Sequence, residues 1–177
     1  MKYILAIAIT YIFAFNIKNT SHADYPRPED TSERLFFIQR NMNKNTIVYD
    51  ASFDKNGNLN EEAPVNVYWI RFEEEGQKMD LRNLERNFAY GIEFNKLNTQ
   101  SIQYSVKIVA DKSRELILKQ IAPFKAEVYI KIDNKLSELD HMYINADNSG
   151  FWPDLEYIEL FGIDTKTKNS TYEKVHY

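Results

Sequence analysis

The chain has 177 residues, 44% of them hydrophobic and 14% aromatic, with no cysteine and 22 basic against 26 acidic residues. A formal charge of −4 without any basic stripe argues against non-specific nucleic-acid binding. The missing thiols exclude disulfides, thiolate zinc sites and a cysteine nucleophile.

In chain order, the first 23 residues read as an export signal. Lys2 gives a positive start, Tyr3 to Phe15 is an almost unbroken apolar run, and Ser21-His22-Ala23 places small residues where a signal peptidase reads them. The run is about 13 residues, short of the roughly 20 a membrane-spanning helix needs. Cleavage after Ala23 would leave 154 residues, periplasmic or secreted, with no transmembrane segment. Without Lys2 and Lys18 the balance becomes 20 basic against 26 acidic residues, a net −6. That length suits one domain. Residues 24–33, "DYPRPEDTSE", read as a polar N-terminal arm, and 34–177 as a single β-rich domain.

Alternation with period two then dominates and predicts strands. They fall near Leu35 to Arg40, over Ile47, Tyr49, Ala51 and Phe53, and through "VNVYWIRF" (Val65 to Phe72), which is apolar on both faces. Further strands are expected near Gly91 to Leu97, over Ile102, Tyr104, Val106 and Ile108, from Glu115 to Ile121, over Phe124, Ala126, Val128, Ile130 and Ile132, from Leu136 to Ile144, from Leu155 to Ile163, and at the end of the chain. Asp111-Lys112-Ser113 and Asp133-Asn134 read as hairpin turns, and Glu73-Glu74-Glu75 before Gly76 as a solvated hairpin tip. One helix interrupts the pattern. Asp80 would cap it, Leu81, Leu84 and Phe88 would face the sheet or the mouth of a barrel, and Gly91 would close it. The expected fold class is all-β, mainly antiparallel: a single-domain β-barrel or β-sandwich with one short amphipathic helix.

The blocks "FFIQRNMNKNTIVYDASFDKNGNL", "PVNVYWIRF", "LERNFAYGIEF" and "LEYIELFG", in this order, resemble the bacterial domain-of-unknown-function family numbered 4833. The resemblance runs from about Leu35 to Gly162. It implies one exported domain and brings no catalytic or binding residues with it.

Little in the chain selects a catalytic chemistry. No Gly-x-Ser-x-Gly elbow occurs, and beyond the signal the only histidines are His141 and His176. Asp140 and His141 are adjacent, so in a regular strand they would point to opposite faces and could not pair. His176 is next to last, where chain ends are usually mobile. No His-x-x-x-His spacing exists for zinc, and five unclustered glycines leave no phosphate cradle. No catalytic residue is therefore assigned. "NADNSGFWPDLE" has EF-hand spacing, with Asn145, Asp147, Ser149 and Glu156 as candidate ligands. Only two of the four are charged and the context is strand, loop, strand, so it would make at most a weak calcium site; no other cofactor is expected.

The stronger lead is a set of arginine and aromatic residues: Arg40, Tyr49, Asp50, Tyr68, Trp69, Arg71 and Tyr90, with Trp152 from the late loop. Arginine between aromatic walls beside an acid can hold an anionic or sugar-like ligand, although the same residues can instead fill a core and pair with Asp50. A solidly packed interior between Trp69, Tyr49 and Tyr90, with no cleft exposing them, would exclude the small-molecule reading and put a protein-partner or structural role in its place. The function expected is an exported, non-enzymatic binding module for a small molecule or surface glycan, or another envelope component. The alternatives are a carboxylate-dependent hydrolase of envelope polymers and a structural or protein-interaction domain of the envelope. A small outer-membrane barrel fits poorly, because it needs an apolar lipid-facing band on every strand, and Glu173 shares a face with Val175 and Tyr177.

Overall fold

The computed structural model describes residues 25–98, 102–147 and 154–177. Eleven strands form one curled, mostly antiparallel sheet: β1 (Arg34–Arg40), β2 (Asn43–Ala51), β3 (Val65–Arg71), β4 (Gln77–Asp80), β5 (Ile92–Asn98), β6 (Gln103–Ile108), β7 (Asp111–Ala122), β8 (Lys125–Ile132), β9 (Lys135–Asp147), β10 (Asp154–Asp164) and β11 (Ser170–His176). A six-residue helix, α1 (Asn83–Phe88), lies between β4 and β5. The half-barrel turns on β9. Its first half pairs antiparallel with β8 through Lys135 to Glu138, its second half pairs parallel with β1 through His141 to Ile144, and β10 runs along the opposite edge with β11 beyond it. Two wings, β4-β3-β2-β1 and β8-β7-β6-β5, thus leave successive stretches of one strand and curl toward each other.

The core lies inside this curl. Ile38, Ile47, Tyr49 and Trp69 from the first wing meet Tyr104, Leu116, Leu118 and Val128 from the second, over Leu139, Met142 and Leu160. Each comes from the inward phase of its alternating strand, which is why period two predicts the core so well. β3 is buried on both faces as expected, with Trp69 inward and Tyr68 in a second cluster with Phe37 and Val48 on the outer face. The N-terminal arm runs over that outer face. Pro28 is buried, Gln39 Nε2 donates to the carbonyl of Pro26 at 3.2 Å, Tyr25 meets Tyr143 edge-on at 5.7 Å, and the Arg27 guanidinium lies 4.8 Å above Phe37.

Four local expectations are corrected. The turn between β6 and β7 is Val109-Ala110, and Asp111 opens β7, its carboxylate accepting from the Ser113 backbone at 3.2 Å. Phe124 belongs to a turn with φ of 57° and is half-exposed, so it is no inward strand residue. Asp80 ends β4, a short exposed strand with no apolar alternation to reveal it, while Arg82 caps α1 and its N–H donates to Glu85 at 2.8 Å. Only Leu81 of the predicted helix face is buried; Leu84 and Phe88 are 73% and 74% exposed. A helix of six residues is too short to carry a full stripe, and its apolar side opens toward solvent at one end of the sheet. The other two turns form as read: Asp133 and Asn134 have φ of 48° and 60°, and Glu75-Gly76 makes an exposed tip.

β9 also carries a bulge. Phe161 pairs with His141 but Gly162 pairs with Leu139, leaving Asp140 without an opposite residue. The extra residue turns Asp140 and His141 to the same outer face, and His141 Nδ1 comes 2.7 Å from Asp140 Oδ2. The imidazole stacks between Phe37 at 5.1 Å and Phe161 at 4.3 Å, and Arg27 forks onto Asp140 at 2.8 and 3.0 Å. Burial pushes the Asp140 carboxyl up, but hydrogen bonds from His141 and Arg27 outweigh it and hold the group below the usual carboxylate range. This cluster pins the arm to the sheet. His176 likewise lies in β11, its ring 5.7 Å from Tyr157, instead of in a loose tail.

Candidate functional site

The two ends of the half-barrel differ. At one end the β2–β3 connection crosses to the second wing. Leu59 enters the core, Gln120 donates to the Gly57 carbonyl at 2.8 Å and accepts from the Leu59 N–H at 2.9 Å, and the Phe124 N–H donates to Gly57 at 2.9 Å. That plug closes the end. At the other end the wings part around a cavity of about 400 Å³. Ile38, Leu116, Met142, Ile144 and Ile158 line its interior, while Phe88, Met42, Arg40 and Arg114 stand among its walls. Its size and apolar lining are those of small-molecule sites. Asp111 is the one carboxylate among its described lining residues. It accepts from the Tyr177 hydroxyl at 2.6 Å and pairs with Arg114 at 3.3 Å. Burial raises the Asp111 carboxyl, but bonds from Ser113 and Tyr177 and the Arg114 charge bring it below its ordinary value.

Beside this cavity is a smaller polar pocket of about 230 Å³. Arg40 borders both spaces. Its guanidinium lies 4.6 Å above the Trp69 ring and donates to the Tyr90 hydroxyl at 2.9 Å and to Asn43 Oδ1 at 3.0 Å. Arg71 approaches the same ring at 5.8 Å and pairs with Glu74 at 3.1 Å. Trp69 Nε1 donates to Glu85 at 3.2 Å, which ties α1 to β3.

A family model described as a domain of unknown function, DUF4833, matches residues 36–174. The chain belongs to this family. No curated protein and no solved structure gives a match.

In this DUF4833 domain the eight residues singled out in the sequence divide three ways. Arg40, Tyr49, Trp69, Arg71 and Tyr90 come together on the inner side of the first wing, although Tyr90 belongs to the approach to β5 at the far end of the sheet order. The curl makes them neighbours: Trp69 and Tyr90 meet edge-on at 5.4 Å. Tyr49 is wholly enclosed, stacked on Phe36 at 4.3 Å, and its hydroxyl donates to the Tyr90 carbonyl at 2.8 Å. It therefore supports the site from beneath. The space between Tyr49 and Trp69 is packed, and the cavity opens beyond Tyr90.

Asp50 and Tyr68 lie on the opposite face of the sheet, away from both pockets. Asp50 accepts from Arg34 Nε and from the Tyr68 hydroxyl, each at 2.6 Å, so its arginine partner is Arg34 and neither Arg40 nor Arg71. The alternation itself gives the reason, since Tyr68 and Trp69 are consecutive in one strand. Burial, and then the bond to Asp50, push the Tyr68 hydroxyl up to about 12. A phenol raised above its unfolded value of 10.0 adds stability that is complete below pH 10 and is lost as pH climbs toward 12. Urea unfolding at pH 10, 11 and 12 should show that decline, less steeply in Tyr68→Phe; equal slopes would show that Tyr68 does not drive it.

Trp152 and Ser149 lie outside the described residues. Of the other calcium candidates, Asn145 donates its amide to the Glu156 carboxylate and Asp147 pairs with Asp154 across the β9–β10 ladder. Among the described residues no cluster of three or more His, Asp or Glu is arranged to hold a metal ion. The signals that sequence reading missed are Asp111 and Arg114 of β7 at the cavity, and Tyr177 just beyond the end of β11, which bonds to Asp111; no local pattern joins the three. Among the described residues no helix is long and apolar enough to cross a membrane.

Proposed function

We propose that this DUF4833 domain is an exported, non-enzymatic binding module for a small, largely apolar molecule. The observation that carries the reading is the cavity of about 400 Å³ between the wings, apolar within and bordered by a few polar side chains. Among the described lining residues Asp111 is the one carboxylate, already engaged by Tyr177 and Arg114, and this favours binding over a hydrolase that needs an acid pair. Export rests on the signal pattern of residues 1–23, and the mature protein recovered from the envelope should have the mass of a chain starting at Asp24. A mass retaining the first 23 residues would remove that part of the reading.

The binding test uses a neutral fluorescent probe such as N-phenylnaphthylamine. Its emission should rise on mixing with the protein, and Ile108→Trp, which fills the cavity from the end of β6, should lower its affinity at least about tenfold while the fold melts normally. Unchanged emission with the parent protein would end the small-molecule reading. The alternative of a protein-interaction domain draws on the exposed Leu84 and Phe88 of α1, and Leu84→Ser, outside the cavity lining, would then abolish partner capture without altering probe binding.

A further inference from the structure

The polar pocket beside the cavity is short of hydrogen-bond acceptors. The Nε atoms of Arg40 and Arg71 are both buried, and neither has a partner. A buried charged donor without an acceptor is costly, and native structures leave few of them. Arg40 has no carboxylate partner among the described residues; its terminal nitrogens are satisfied by the neutral Tyr90 and Asn43. Arg82 lines the same space. Against these three guanidiniums the pocket lining offers one carboxylate, Glu85, which already accepts from Trp69 Nε1 at 3.2 Å and the Arg82 N–H at 2.8 Å. Arg71 pairs outside the lining with Glu74 at 3.1 Å, so the unmatched charge is that of Arg40 and Arg82. Asn43 and Asn45 complete the polar wall, and both spend a side-chain oxygen on backbone N–H groups of their own region. What remains is a positive, partly desolvated recess in which the Arg40 and Arg71 guanidiniums lie over the Trp69 ring.

Arg40 joins this recess to the apolar cavity, since it is the one residue lining both. We infer that the ligand is an anionic amphiphile: its apolar tail fills the space between the wings, and a carboxylate or phosphate head takes the donors of Arg40, Arg71 and Arg82. The inference rests on the cavity being a small-molecule site. A planar or tetrahedral oxyanion suits guanidinium donors because it can accept two N–H bonds at once. The tail supplies affinity through buried apolar area, and the head supplies selection, because a neutral end group cannot offset the charge of Arg40, whose partners Tyr90 and Asn43 are neutral.

The experiment is a competition against the neutral probe bound to the purified protein. Laurate and monododecyl phosphate carry the tail with each kind of head, dodecanol carries the tail alone, and inorganic phosphate and acetate are heads without a tail. One or both anionic amphiphiles should displace the probe at concentrations at least about tenfold below dodecanol, with the small ions ineffective. The stronger of the two identifies the head. Arg71→Gln and the exposed Arg82→Gln should each weaken that amphiphile about tenfold and move dodecanol less than about twofold, and Arg40→Lys should fall between parent and Arg40→Gln. Equal displacement by dodecanol and both amphiphiles, with Arg71→Gln and Arg82→Gln without effect on the ratio, would overturn the head-group assignment and leave the cavity reading standing. Inorganic phosphate binding as tightly as dodecyl phosphate would overturn the amphiphile by making the recess an independent anion site. A probe that never binds would bring down the cavity reading and this inference together.

Discussion

Asp50→Ala should lower the unfolding free energy by about 3–5 kcal/mol, enough to leave little of a typical domain's stability. The Arg34 and Asp50 side chains are only 10% and 13% exposed, and among the described residues Asp50 is the carboxylate that pairs with Arg34 while it also holds the Tyr68 hydroxyl. One guanidinium nitrogen of Arg34, NH1, already lacks a partner, so removing the carboxylate strands a largely desolvated cation. The loss should be much smaller in Arg34→Met/Asp50→Ala, where the charge is gone and an aliphatic chain replaces it. Urea unfolding of the single and double variants decides the matter: a single-variant loss under about 1 kcal/mol, or no recovery in the double, would mean that the pair is solvated in solution. Because the pair faces away from both pockets, the fraction of Asp50→Ala that remains folded should bind the neutral probe as the parent does. That result separates Asp50 from the residues it was grouped with on sequence grounds.

Gly91→Ala is the second large effect, at about 3 kcal/mol or more, and it should also reach the cavity. A Cβ at this position would lie 1.9 Å from the Arg86 carbonyl oxygen and 2.8 Å from its carbon, both backbone atoms that no rotamer change can move. The chain must shift, and the shift falls next to Tyr90, whose carbonyl accepts from Tyr49 and whose hydroxyl accepts from Arg40. Loss of thermal stability together with loss of probe affinity is the expected pair of results. Loss of stability with full affinity would place the strain in α1 alone. Glycine was expected here as a helix terminator; its role is to let the chain pass close beneath the Arg86 carbonyl after α1 has already ended at Phe88.

Most strands were legible because each alternates cleanly between a core and a solvent phase, as β8 does with Ala126, Val128, Ile130 and Ile132 inward. Three features escaped for physical reasons. β4 has no apolar alternation, since all four of its residues are exposed. The bulge at Asp140 inserts one residue into a long strand, and period-two reasoning then places every later side chain on the wrong face, which is how the Asp140–His141 contact was lost. The parallel pairing of β1 with β9 is a long-range match that local turn chemistry cannot announce. The candidate site was half legible. Composition marked Arg40, Trp69, Arg71 and Tyr90 as unusual, but only the curl of the sheet brings Tyr90 to Trp69, and only strand phase removes Asp50 and Tyr68 to the other side.

The division of β9 between two partners also sets an order of assembly. Each wing is a succession of neighbouring hairpins, so its pairings close short loops and can form early. Phe37 and His141 stand about 104 residues apart, so the seam between β1 and β9 closes a far longer loop than any hairpin and is expected to form after them. The cavity has walls from both wings and does not exist until that seam shuts. An occupant bridging the wings would therefore act as a clasp, adding its binding energy to the last-made junction and slowing the parting of the wings.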